Sequence, residues 1–86
     1  MYNIELSKQS DKFLTNLKDK KLQERILKSI FNLKINPKPK GNFKYLEPDK
    51  ENLRIRIGIY RVVYTIKEDK LIILIIKIDK RSKVYN

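Results

Sequence analysis

The chain uses lysine as its default cation, 16 times, and arginine only five times; four of those arginines, Arg54, Arg56, Arg61 and Arg81, fall within the last 33 residues. Where lysine is the default, an arginine marks a need for a planar, permanently charged, bidentate donor, and phosphate is the usual object of that need. Arg54 and Arg56 stand at i, i+2 and therefore share one face of any strand that carries them. Arg61 follows the turn-forming Gly58-Ile59, and the closing stretch Lys80-Arg81-Ser82-Lys83-Val84-Tyr85 adds three cations and a phenol. A sheet face of arginines with a tyrosine at its rim suits RNA, since the cations hold phosphates and the ring stacks on an unpaired base. Each feature alone has a plainer explanation: a solvated strand face, a tight turn, a frayed tail, and in Tyr60 and Tyr64 two core residues. Their recurrence along one half of the chain is what the plainer readings leave unexplained.

Composition removes other chemistries. The 86 residues contain no cysteine and no histidine. Disulfides and thiolate metal sites are excluded, any acid–base step must run without imidazole, and a transition-metal site would have to be made from carboxylates alone. No cofactor is expected. The formal charge is +11, from 21 Lys plus Arg against 10 Asp plus Glu. That excess favours a polyanionic partner, whether nucleic acid, an acidic protein or an anionic membrane surface. It is spread over both halves with no basic tail, so a solvated lysine-rich surface explains much of it. The N-terminus shows neither a basic n-region nor an apolar h-region, and the longest apolar run, residues 71–76, is far short of a membrane span. The expected location is the cytoplasm, with no membrane partner.

The elements that must position these groups are legible in outline. Tyr2-Asn3-Ile4-Glu5-Leu6 alternates as a strand does. Ser7 is an N-cap for a helix expected over residues 8–19, with Phe13, Leu14 and Leu17 on one side. A second helix is expected over 20–35 with an apolar stripe of Leu22, Ile26, Leu27, Ile30, Phe31 and Leu33, stopped by Asn36-Pro37-Lys38-Pro39. A short strand near residues 43–46 and a polar loop precede Leu53-Arg54-Ile55-Arg56-Ile57, whose alternation sets three aliphatic residues against two arginines. Residues 60–66 and 71–78 form further strands joined by Lys67-Glu68-Asp69-Lys70; the last, apolar on both faces, is expected to be the most buried and central. The order reads β-α-α-β-β-β: one α+β domain over residues 1–86, a helical hairpin covering one face of a mostly antiparallel sheet and the arginines on the other.

The segment Leu53-Arg54-Ile55-Arg56-Ile57-Gly58-Ile59-Tyr60-Arg61-Val62-Val63-Tyr64 resembles the "yRiRvGdYRviY" block of the RelE/ParE toxin superfamily, and Asp79-Lys80-Arg81-Ser82-Lys83-Val84-Tyr85 resembles its "hR.dvY" close. The resemblance spans nearly the whole chain. It implies a RelE-like fold and the toxin of a type II toxin–antitoxin system, of the branch that enters the ribosomal A site and cuts mRNA without a metal. There the 2′-hydroxyl attacks the neighbouring phosphate, leaving a cyclic phosphate and a 5′-hydroxyl. By the same resemblance Arg61 holds the dianionic phosphorane, Arg81 stabilises or protonates the leaving oxygen, and Tyr85 stacks on the nucleotide and assists proton transfer. Arg54, Arg56 and Lys80 bind RNA phosphates. The partners it implies are mRNA on the ribosome and an acidic, RelB-like antitoxin in a hetero-oligomer.

Some RelE-like members carry lysines where this chain has Arg54 and Arg56, and one of those lysines is proposed as general base. At pH 7 a lysine is neutral about once in 10³, an arginine about once in 10⁵ or less. The base here is thus Tyr85, a lysine such as Lys80, or none, the last giving a slower enzyme driven by positioning and charge. Two other readings stand beside the nuclease: a ParE-like toxin that inhibits DNA gyrase without cutting RNA, and a basic nucleic-acid-binding module that has lost its chemistry.

Overall fold

The computed structural model describes residues 1–45 and 51–80 of the chain. Among these the elements run β1 (Asn3–Leu6), α1 (Lys8–Asn16), α2 (Lys20–Asn32), β2 (Phe43–Tyr45), β3 (Asn52–Ile57), β4 (Tyr60–Lys67) and β5 (Ile72–Lys80). The α+β architecture is as expected, and each of the five strands falls where the residue pattern placed one; the order β-α-α-β-β-β left out the short strand near residues 43–46, which is β2 and joins the sheet by pairing with β3.

Capping chemistry sets the helix ends. The Ser7 Oγ accepts from the Ser10 N–H at 3.1 Å and starts α1. α1 stops at Asn16, three residues before the sequence pattern suggested, because Leu17 is extended and Asp19 caps α2 instead, its carboxylate accepting from the Leu22 N–H at 3.1 Å. The corner between the helices is closed by the Gln23 side-chain amide, which donates to the Leu14 carbonyl at 2.6 Å. α2 gives way after Asn32 to tight turns, in which Leu33 and Lys34 donate to the carbonyls of Ile30 and Phe31.

The sheet order is β1-β5-β4-β3-β2, with β1 parallel to β5 and every other pair antiparallel. The middle strand is therefore β4, not β5. The aliphatic run of β5 misled because its outer residues Ile72, Leu74 and Ile76 are only half-buried, while Ile73, Ile75 and Ile78 are fully buried. That change of spacing, two residues and then three, marks a bulge: Val63 pairs with Lys77 but the next residue, Tyr64, pairs with Ile75, so Ile76 is the extra residue. Two successive carbonyls of the bulged stretch then turn toward the start of α1. The Ile75 carbonyl accepts from the Ser7 N–H at 2.9 Å and from the buried Ser10 hydroxyl at 3.2 Å, and the Ile76 carbonyl accepts from the Ser7 hydroxyl at 2.7 Å.

One apolar cluster lies between helices and sheet, uniting Leu14, Ile26, Ile30 and Leu33 with Leu53, Ile55, Ile57, Val62, Tyr64, Ile73, Ile75 and Ile78. Burying each of these large side chains contributes about 1.5–3 kcal/mol. Phe31, assigned to the helix stripe by its spacing, is 54% exposed, and Ile35 just beyond α2 is 78% exposed. Among the described residues no helix is long and apolar enough to cross a membrane.

Candidate functional site

The alternation of β3 does what its sequence promised. Leu53, Ile55 and Ile57 are buried toward the helices, so Arg54 and Arg56 project from the opposite face, Arg54 half-buried and Arg56 exposed. The turn that follows has two central residues, and only the first, Gly58, has positive φ, at +61°. That is the II′ pattern, whose twist matches paired strands and whose first position favours glycine. It places Tyr60 opposite Ile57 and Arg61 opposite Arg56.

Register then builds two rows across the open face. The first is Arg56, Arg61 and Asp79 from β3, β4 and β5. The second is Lys44, Arg54, Val63 and Lys77 from β2 to β5. Directly opposed residues of antiparallel strands lie about 4.5–5.5 Å apart, so each row is contiguous. Five cations from four strands therefore face one way, around a buried Val63 that is 4% exposed. Beside them, Gly41, Asn42, Phe43, Lys44, Arg54 and Arg56 line a groove of about 240 Å³. Its wall is tied to β3 through Asn42, whose side chain donates to the Arg56 carbonyl and accepts from the Arg56 N–H, both at 3.4 Å.

Arg61 is fixed by an acid that sequence reasoning did not single out. Its Nε donates to the Asp79 Oδ1 at 3.2 Å and its Nη2 to Oδ2 at 3.0 Å, a two-pronged pair in which both side chains are about three-quarters shielded. The Lys77 Nζ stands 3.5 Å from the same Oδ2. An acid 18 positions away becomes a cross-strand partner only once the β4–β5 register is known, and no local motif announces it.

The end of β5 that carries Asp79 is in turn held by helix α1. β1 stops at Leu6, opposite Ile75, and beyond it the Gln9 side chain takes over: its amide donates to the Ile78 carbonyl at 2.9 Å and accepts from the Ile78 N–H at 3.0 Å. One carboxamide thus supplies the paired donor and acceptor that a neighbouring strand would have offered. Behind it Phe13 meets Tyr60 edge to face, with ring centroids 5.7 Å apart.

Of the residues singled out from sequence, the structure brings Arg54, Arg56 and Arg61 to one face. Lys80 is exposed but opposes Tyr60, which packs against the core, so alternation turns it to the helix side at the end of the sheet. Arg81 and Tyr85 lie outside the described residues.

Known proteins share this fold and much of this sequence. Residues 4–85 match the family described as "ParE toxin of type II toxin-antitoxin system, parDE". A relative from Methanocaldococcus jannaschii, named as toxin RelE1, is 38% identical over 86 residues, covering 98% of this chain and 94% of that protein. The solved RelE–RelB complex of Pyrococcus horikoshii OT3 superposes with a TM-score of 0.80 and 28% identity, over 95% of this chain and 97% of that one. The isolated RelE toxin of E. coli gives 0.79 with 22% identity, over 99% and 92%, a likeness of fold. The chain therefore belongs to the RelE/ParE family and is a toxin of a type II toxin–antitoxin system.

Proposed function

We propose that this toxin is a ribosome-dependent endoribonuclease that cuts mRNA in the A site by attack of a 2′-hydroxyl on the adjacent phosphate, with no metal. The observation that carries the reading is the open face on which Arg54, Arg56, Arg61, Lys44 and Lys77 stand in two adjacent rows. As the 2′-oxygen bonds to phosphorus, the phosphorane gains a second negative charge, and the bond to the 5′-oxygen then breaks to leave a cyclic phosphate. A fixed guanidinium at that point stabilises the transition state more than the ground state, the strongest effect open to a site without imidazole. Arg61, on the middle strand, is assigned that role. Arg54 and Arg56 hold the flanking phosphates, with Lys80 at the sheet's end reaching a more distant one. Arg81 is assigned to the leaving 5′-oxygen, and Tyr85 to stacking and proton transfer. Arginine at both strand positions keeps β3 out of the base role, which falls to Tyr85, a lysine or none.

The whole chain acts as one toxin domain and works in the cytoplasm, where its substrate is. Its antidote is an acidic, RelB-like antitoxin in a hetero-oligomer. This rests on the charge of +11, on the exposed Phe31 and Ile35, and on RelE relatives solved together with RelB. Primer extension on translating ribosomes tests the reading. Cuts inside A-site codons are expected, reduced at least about a hundredfold in Arg61→Ala; an uncut message at full toxin occupancy overturns it.

The ParE description of the matching family favours one other reading, a toxin that inhibits DNA gyrase. Loss of supercoiling activity with intact mRNA would select it.

A further inference from the structure

The two-pronged pair between Arg61 and Asp79 has the shape of an arginine–phosphate contact. A carboxylate and a phosphodiester each present two oxygens to the guanidinium fork, and here Oδ1 and Oδ2 of Asp79 occupy the Nε and Nη2 edge at 3.2 and 3.0 Å. Asp79 is also the single acidic member of the two rows on the open face, with Arg56, Arg61 and Lys77 beside it among the described residues. We propose that Asp79 is a specificity-determining residue of the phosphate face: an internal anion that holds the Arg61 fork until a phosphate belonging to an RNA strand replaces it. The inference rests on the RNA-binding reading of this face.

The physical argument is one of effective concentration. Asp79 is delivered to Arg61 by direct cross-strand pairing, and the strand end that bears it is pinned through Ile78 to Gln9. A tethered group of this kind competes at an effective concentration on the order of millimolar or above. Free inorganic phosphate makes one contact and loses to it. A strand arrives with several phosphates, and those held by Arg54, Arg56, Lys44 and Lys77 raise the local concentration of the one that reaches Arg61. The carboxylate then gives way and remains beside Lys77, 3.5 Å off in the unliganded arrangement, so its charge keeps a partner. Asp79 in this way rejects lone phosphates and admits a polymer.

The test is a double-mutant cycle read by fluorescence anisotropy. Its probes are a labelled, uncleavable 2′-O-methyl RNA decamer and inorganic phosphate, the latter as competitor at constant ionic strength. Asp79→Asn should bind the decamer about fivefold more tightly, the effect of about 1 kcal/mol of released competition. It should also let millimolar phosphate displace the decamer, which the unmodified toxin resists. In the Arg61→Ala background the same substitution should gain less than about twofold, because no fork is left to release. Asp69→Asn, an equal charge change in the turn at the far end of the β4–β5 hairpin, should also gain less than about twofold. Thermal melts check folding, and Asp79→Ser replaces the asparagine variant if that one does not fold. An equal gain with and without Arg61 would show net charge alone and overturn the inference, as would phosphate displacing the decamer equally from both proteins. Binding of the decamer by neither protein overturns the phosphate face along with it. Absence of cleavage on ribosomes, with the cycle behaving as described, defeats the nuclease reading and leaves the role of Asp79 standing.

Discussion

The hydroxyl of Tyr64 donates to the carbonyl of Pro37 at 2.6 Å, joining the middle strand of the sheet to the segment that follows α2. The ring is fully buried, and burial raises its pKa above the ordinary value of about 10.

Tyr64→Phe keeps the ring and loses the bond, leaving the Pro37 carbonyl without this donor. A cost of about 1 kcal/mol is expected in urea titrations near neutral pH. The sign of the pH effect follows from the raised pKa: the unfolded tyrosine ionises near pH 10 while the folded one stays neutral. The stability it confers is thus complete below pH 10 and lost as pH rises above it, by about 1.4 kcal/mol per pH unit. The advantage of the parent over Tyr64→Phe should disappear within about one pH unit above 10; parallel curves to pH 11 would contradict this.

Gly58→Ala should destabilise by about 1 kcal/mol. A Cβ built at Gly58 meets nothing within 4 Å, so the cost is the positive φ of +61° and not a clash. D-alanine at the same position, placed by semisynthesis, should cost nothing. Equal melting points for the two alanine enantiomers would dispose of that explanation.

Gln9→Ala removes both bonds to Ile78 and should cost about 1–2 kcal/mol. Amide hydrogen exchange gives the sharper readout: protection at Ile78 should fall well before the global unfolding limit, while protection in β3 is unchanged. Uniform loss across the sheet would mean that Gln9 matters only to overall stability.

Lys44→Ala tests how far the cationic rows extend. If Lys44 opposite Arg54 meets a phosphate, the log–log salt slope for single-stranded RNA should drop by about 0.7 and affinity should weaken for every sequence alike. An unchanged slope would confine the RNA to β3, β4 and β5.

Much of this was legible in the chain. Period-2 alternation put Arg54 and Arg56 on one face, and Gly58-Ile59 announced the turn that sets Arg61 opposite Arg56. Both signals are local, and both survived. What the sequence left open depends on contacts between distant segments. Asp19 could have continued α1 as readily as it caps α2. The apolar run of β5 fits a strand buried on both faces, yet the parallel β1 claims its outer side and β4 takes the centre. The pairing of Arg61 with Asp79 waits on the bulge at Ile76, which no residue type signals.

The carboxamide of Gln9 has a bearing on the toxin as an object stored in a crowded cell. A sheet margin with open hydrogen-bonding groups invites any passing polypeptide to add itself, the first step toward fibrils or swapped dimers. At Ile78 both groups are already engaged by a side chain of the same molecule, where β1 has ended and the margin would otherwise lie bare. A single glutamine thereby blunts that stretch against self-association, where another rung of β-strand would have demanded extra residues between β1 and α1.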